Sequence, residues 1–474
     1  MNDKRADLLG NYPVKKLLVK LAIPATAGMM VNALYNLVDT FYVARGAGEL
    51  AIGALTFAFP VQMIIMAVGL MIGIGSASVF SRAYGRNDRE KMNNVVNTAI
   101  RIDALLAIFL AVIGFIFLNQ LLTFFGASSS NIGYAKDYLS VILIGLVPLS
   151  LSMVLNNLTR AEGRVNIAMY AMMLGAGTNI LIDPFFIFEE VTLFGTTIPL
   201  LGLGVRGAAI ATVLSQIIAF SFILSKTFSK DSQIKVNFKN WFDIHYETVK
   251  DILVIGFPTF LRNSLGAFLA ILILKLIHFY AVGDPDIYQS VYGVINKMIF
   301  FIFMPGFGIV QGLAPIVGYN YGAKNYERIR EVIIFSVKIV VVYFIGGFVF
   351  VQLFATTIFT AFSKNSDLFF IDYGSNAFRI VSYGFLLVTF QFLVASVYQS
   401  LGYARRALLV AISRQSLIFV PMVFIITHFY GLEGIWYSYA ISDLLAGLLG
   451  LGMLLYELNV FKKIIANEKA TSLT

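Results

Sequence analysis

Residues 81–90 read S-R-A-Y-G-R-N-D-R-E, and residues 318–327 read G-Y-N-Y-G-A-K-N-Y-E. Tyr84 and Gly85 recur as Tyr321 and Gly322 at a shift of 237, half of the 474 residues in the chain. The same shift carries Gly69 and Gly75 onto Gly306 and Gly312, and Pro184 onto Pro421. L-A-I-P-A-T around Pro24 is answered by I-G-F-P-T-F around Pro258, 234 residues later. One match means little in a chain with 39 glycines. A string of them near one offset reads as an internal repeat, with convergent membrane composition as the alternative.

The segments between these landmarks are apolar. Hydrophobic residues make up 58% of the chain and charged residues 13%, and mean hydropathy is +0.81. Soluble domains carry about 25% charged residues, so this is an integral membrane protein. A helix needs about 20 apolar residues to cross the hydrocarbon core. Such segments fall near 17–43, 51–80, 95–118, 137–158, 165–188 and 204–225, then near 250–280, 286–317, 329–355, 373–400, 406–430 and 433–457. The expectation is an all-α fold of twelve transmembrane helices in two six-helix lobes. An N-terminal lobe would span 1–225, a cytoplasmic linker 226–249, and a C-terminal lobe with its tail 250–474. An even number of spans per half gives both repeats one orientation, related by a pseudo-two-fold axis along the membrane normal.

The net charge of +9 is topological. With both termini cytoplasmic, the inner segments collect 25 of the 35 basic residues, including Lys15, Arg82, Arg164, Lys230, Lys239, Arg406 and Lys462. Outer loops and span ends hold Arg45, Lys136, Arg206, Lys364 and Arg379. That bias follows the positive-inside rule and leaves nothing for a nucleic-acid partner. Cysteine is absent, and His245, His278 and His428 lie far apart, so thiol chemistry and metal-ligand spacing are missing. No phosphate-binding G-x-x-x-x-G-K run occurs, and neither a cofactor nor an enzyme activity is expected. The start, M-N-D-K-R-A-D-L-L-G, gives no removable signal peptide.

Polar residues inside the spans narrow the reading. V-N-A-L-Y-N-L-V-D-T in span 1 places Asn32, Asn36 and Asp39 on one helical face, with Tyr35 among them. T-N-I-L-I-D-P-F in span 5 places Asn179 and Asp183 one turn apart, with Pro184 directly behind. Span 4 adds Asn156 and Asn157, and Met153 and Met172 are available to line a plastic cavity or simply to pack. In one reading Asp39 and Asp183 form a proton- or sodium-linked site, since intramembrane carboxylates are functional by default. In the other, the asparagines hydrogen-bond the carboxylates to lock helix packing. The second half is basic instead. Lys297 is the residue there best placed to face a cavity, Arg262 and Lys338 are ambiguous, and Asp443 could neutralise a neighbour.

These residues resemble the multidrug and toxic compound extrusion (MATE) transporters. The resemblance rests on P-A-T-A-G-M-M-V-N-A-L-Y-N-L-V-D-T-F-Y-V-A-R, S-R-A-Y-G-R-N-D, T-R-A-E-G-R, T-N-I-L-I-D-P-F-F-I-F and G-L-G-V-R-G-A-A-I-A-T, and covers roughly residues 12 to 460. It implies two six-helix lobes forming a V around a central cavity, working by alternating access. It also implies antiport, with proton or sodium influx driving export of bulky, often cationic organic compounds across the plasma membrane, by a monomer. In similar bacterial members an N-lobe cluster carries the coupling ion, and it matches Asp39, Asn179, Asp183 and Asn157 here, with Pro24 matching the hinge of span 1. A departure is the basic second half, which lacks an obvious carboxylate in spans 7 and 8. The runner-up function is therefore a flippase or exporter of a lipid-linked or anionic precursor, and a membrane enzyme or passive channel is the third class.

Overall fold

The computed structural model describes residues 4–46, 49–124, 132–193, 196–229, 231–236, 245–363 and 367–472. Lys230, Lys239, Lys364 and residues 237–244 of the linker lie outside the described residues. The first half comprises α1 (Lys4–Asn11), α2 (Val14–Gly46), α3 (Glu49–Gly85), α4 (Arg89–Ile116), α5 (Leu118–Phe124), α6 (Ile132–Ile144), α7 (Leu146–Ala161) and α8 (Val165–Ile187). A hairpin, β1 (Glu190–Leu193) and β2 (Thr196–Pro199), leads into α9 (Gly204–Thr227). The second half comprises α10 (Tyr246–Tyr280), α11 (Pro285–Gly322), α12 (Tyr326–Phe362), α13 (Leu368–Ser382) and α14 (Phe385–Leu401). It continues with α15 (Ala404–Ile412), which passes through a π-helical stretch, Ser413–Phe419, into α16 (Val420–Tyr430), and ends with α17 (Glu433–Ser472).

Ten of the described segments are long and apolar enough to cross a membrane, and two bent helix pairs raise the total to twelve. The bent pairs are α6 with α7, at 53°, and α13 with α14, at 50°. They occupy the fourth span of each half, so the break itself is repeated. The helical construction of the spans follows from the solvent. Backbone groups in hydrocarbon must be satisfied within their own segment.

The turn at residues 81–90 is built twice. After α3, Asn87 turns left-handed at φ 58°, and the Asp88 side chain caps α4 by accepting from Lys91 N at 2.9 Å. After α11, Lys324 does the same at φ 59°, and Asn325 caps α12 through Arg328 N at 3.4 Å. A second turn also recurs. Gly163 after α7 and Gly402 after α14 sit at φ 85° and 82°, where a Cβ would be strained.

The chain divides into two compact units, one of residues 1–26 with 261–474 and the other of residues 27–260. In the second of these, buried Val43, Ile65, Leu139, Ile142, Leu146, Ile187, Val205 and Val213 form a core where α2, α3, α6, α7, α8 and α9 meet. The first turns of α10 pack into this unit by close backbone approach. A Cβ on Gly256 would collide with the Met71 carbonyl, and one on Gly75 with the Ile252 carbonyl. Lys91 joins Asp251 across the same seam at 2.9 Å. The buried Glu162 ties down the linker, accepting from Gln233 N at 2.7 Å and from Ser232 Oγ at 3.2 Å.

In the other unit Phe303 of α11 meets Phe344, Phe385 and Phe392 edge-to-face at 5.0, 5.1 and 5.7 Å. Fully buried Trp436 donates to the Tyr373 hydroxyl at 2.8 Å. Here the first turns of α2 are the packed arm, with Ala22 against Gly312 and Thr26 against Gly308. Small residues at such crossings let backbones approach where apolar burial gives no net drive. Both arms are proline-marked. The unit boundaries at 26/27 and 260/261 fall just beyond Pro24 and Pro258, each inside a continuous helix.

Candidate functional site

Three side chains singled out from two distant spans come together in the 27–260 unit. Asn179 and Asp183 stand one turn apart on α8, 2% and 0% exposed, and Asn179 Nδ2 donates to Asp183 Oδ1 at 2.9 Å. The Asp39 carboxyl of α2 lies near enough to the Asp183 carboxyl for the two to interact electrostatically. Two carboxylates that close, shielded from water, repel unless a proton or a cation sits between them. Chemically, the arrangement can hold a small positive charge.

Its oxygens are unspent. Asp39 Oδ1, Asp183 Oδ2 and Asn179 Oδ1 are buried without a hydrogen-bond partner among the described residues. Orphaned buried acceptors are uncommon and ask for an explanation. Others, such as Asp103 Oδ2 and Glu457 Oε1, occur singly; here three gather in one cluster. Oxygen-only surroundings suit a proton or a hard cation. Among the described residues no three His, Cys, Asp or Glu side chains gather, so a bound sodium would draw its remaining oxygens from amides, hydroxyls or water.

Two further groups border the cluster that the spacing of charged residues did not indicate. Thr212 of α9 is 6% exposed, and its hydroxyl lies 3.5 Å from Asn179 Nδ2. The buried phenol of Tyr138, on α6, lies within electrostatic reach of Asp39 and Asp183, as does Tyr35. Pro184 follows Asp183 without ending α8, which continues to Ile187. It removes the N–H that would bond the carbonyl four residues back, and so softens the helix beside the site. Pro24 does the same in α2.

The other candidates hydrogen-bond within their own helices. Asn36 Nδ2 donates to Asn32 O at 2.7 Å, Asn156 Nδ2 to Ser152 O at 3.0 Å, and Asn157 Nδ2 to Met153 O at 2.8 Å. Met153 covers Gly69 of α3, and Met172 fills the gap over Gly28, with its sulfur 3.1 Å from Arg160 Nη2. Lys297 is exposed on α11.

Two buried charged groups lie apart from this cluster. Asp103 on α4 is 0% exposed and accepts from Ser150 Oγ at 2.7 Å. It is an intramembrane carboxyl like Asp183, and the rule that marks Asp183 marks it too. Asp443 is held by a two-pronged contact with Arg414, whose Nε and Nη2 lie 2.5 and 3.1 Å from its oxygens. Arg414 stands at the start of the π-helical stretch, a form that recurs at functional sites.

The family model MatE matches residues 24–185 and again 263–425, one match in each half. Multidrug export protein MepA from Staphylococcus aureus is 26% identical over 460 residues, covering 94% of this chain and 95% of its own. An outward-facing multidrug resistance MATE family transporter of the MOP superfamily matches with a TM-score of 0.88 at 28% identity, covering 97% of this chain and 99% of its own. A MOP superfamily transporter from Pyrococcus furiosus, described as having a binding pocket of reverse polarity, matches with the same score, identity and coverage.

Proposed function

Because this chain belongs to the MatE family of multidrug transporters, we propose that it exports organic, often cationic compounds in exchange for protons or sodium ions. The observation that carries the proposal is the Asp39–Asp183–Asn179 cluster with its three unpaired oxygens. An entering ion neutralises the pair, relieves the repulsion between α2 and α8, and changes their fit at Pro24 and Pro184. Coupling requires that ion and substrate favour different states of the protein, and the penalty each imposes on the other is equal as binding free energy. Alternating access then follows when the two proline-marked helices absorb the change. The working unit is a monomer in the plasma membrane with both termini cytoplasmic, as the basic bias of its segments supports. It performs transport and no chemical conversion.

A second reading draws on the other half of the chain. Exposed Lys297 and half-buried Arg262 are basic where a cation site would want carboxylates, and the reverse-polarity pocket described for the Pyrococcus relative is in keeping with that. It makes this protein an exporter of a lipid-linked or anionic precursor.

Efflux of a fluorescent organic cation from proteoliposomes, driven by a proton gradient and then by a sodium gradient, tests the first reading. Wild type should respond to one gradient, which names the ion, and Asp39→Asn should respond to neither while still folding. If Asp39→Asn exports as wild type does, the cluster is structural. If wild type moves anionic dyes and ignores cationic ones, the second reading replaces the first.

A further inference from the structure

A cavity of about 580 Å³ opens in the unit formed by residues 1–26 and 261–474, far along the chain from the acidic cluster. Five cationic side chains line it: Lys15 from the first turn of α2, Arg330 and Lys338 from α12, and Lys462 and Lys469 from the end of α17. Two glutamates share the lining. Glu327 is already engaged by Lys469 at 2.6 Å, which leaves Glu331 facing the other four cations. The site is thus strongly positive. Arg330 Nε is buried and without a hydrogen-bond partner among the described residues.

The remaining wall is apolar: Ile334, Phe335 and Ile465. Cations and hydrocarbon side by side fit an amphipathic anion better than a free one. The level in the membrane agrees. α17 has 40 residues and so runs roughly 60 Å, about twice the hydrocarbon thickness. Its apolar run begins near Ile435, so roughly 30 Å of helix ends near Leu455, and the turns at 462–469 pass through the headgroup region, with Lys462 nearer to it than Lys469. Lys338 lies deeper on α12, with a stem long enough to bring its ammonium back toward that level. Basic pockets between spans on the cytoplasmic side are suited to anionic headgroups, and this volume lies within the ~300–1,000 Å³ of small-ligand sites.

We infer that this cavity binds the phosphate headgroup of an anionic phospholipid of the inner leaflet, such as phosphatidylglycerol. Arg330 and Lys462 grip the phosphate, and Ile334, Phe335 and Ile465 receive the first acyl carbons. The ligand fastens the arm of α2 to α12 and α17, which places a lipid contact on the segment that ends at Pro24.

The test uses the purified full-length chain in detergent, titrated with phosphatidylglycerol, with phosphatidylcholine, or with inorganic phosphate, while thermal unfolding is followed. Phosphatidylglycerol should raise the unfolding midpoint saturably at low salt, and the other two should not. Arg330→Gln and Lys462→Gln should each weaken half-saturation about fivefold, the fold-change equivalent of one basic residue at an anionic surface. Glu331→Gln, which removes a repelling charge and no partner of the lipid, should tighten it. Equal response to phosphatidylcholine, or unchanged half-saturation in all three variants, overturns the proposal. So does an equal response to inorganic phosphate, which would make the cavity a site for a soluble anion. If Arg330→Gln does not fold, exposed Lys462 and Glu331 still decide the sign.

Discussion

Replacing Asp183 by Asn should separate stability from coupling. In wild type Oδ1 accepts from Asn179 at 2.9 Å, while Oδ2 and the neighbouring Asp39 Oδ1 are buried and have no hydrogen-bond partner among the described residues. The variant keeps the first bond through its carbonyl and turns the second atom into a donor facing Asp39. One hydrogen bond is gained, worth about 0.6 kcal/mol on average inside a membrane and at most ~1.7. One incompletely paired carboxyl is removed, a group whose burial costs roughly 1–3 kcal/mol. Asp183→Asn should therefore be as stable as wild type or more so, by about 1 kcal/mol. Asp183→Leu gives Asp39 no donor and leaves Asn179 Nδ2 without its acceptor, beyond the long contact to Thr212 at 3.5 Å, and should lose about 1–2 kcal/mol. Both variants lose the carboxyl to which the proposal couples the ion, so gradient-driven accumulation should fall at least tenfold in each. Thermal unfolding in detergent, paired with uptake into inverted vesicles, reads the two quantities on the same preparation. The reasoning fails if Asp183→Asn is less stable than Asp183→Leu. It also fails if either variant still concentrates substrate against its gradient.

Arg414→Met strands Asp443, 3% exposed, without its two-pronged partner; the loss should reach about 3–5 kcal/mol in chemical denaturation, and adding Asp443→Leu should restore most of it. Lys324 holds φ 59°, so Lys324→Val should cost about 1–2 kcal/mol by the same assay, whereas Lys324→Gly should cost nothing. Gly256→Val drives a side chain into the Met71 carbonyl and should sharply reduce the monodisperse fraction on size-exclusion chromatography, while Gly452→Ala, with open space around its Cβ, should leave it unchanged.

The sequence carried the twelve spans because hydropathy integrates over about 20 residues. For the same reason it hid their breaks. Residues 137–158 and 373–400 read as uniform spans, yet each is two helices bent by 53° or 50°, since a bend at a glycine leaves the average unchanged. The π-helical stretch at Ser413–Phe419 was equally silent, because an extra residue in a turn has no compositional mark. The recurring turns at Asn87 and Lys324 were legible as an offset although their residues differ, since what repeats is a backbone conformation and a cap.

At the acidic cluster, the helical faces of Asp39 and of Asn179 with Asp183 could be read from spacing. That the two faces meet is a fact of packing, and spacing within a helix says nothing about its neighbour. Thr212 and Tyr138 entered through that packing alone. Asp103 was within reach of sequence reasoning, as a carboxyl in the middle of an apolar run. The span expected at 95–118 contains it.

The placement of the two unit boundaries bears on how the molecule is assembled. Residues 1–26 complete the unit made from the second half, and residues 246–260 complete the unit made from the first. Each half thus lends an arm to the other, as protomers do in a reciprocally swapped dimer. Cutting the chain at the linker would give two fragments, neither of which contains a whole unit: one missing the helix that covers Met71 and Gly75, the other missing the helix that covers Gly308 and Gly312. During synthesis, the first half must wait for α10 before its packing is complete.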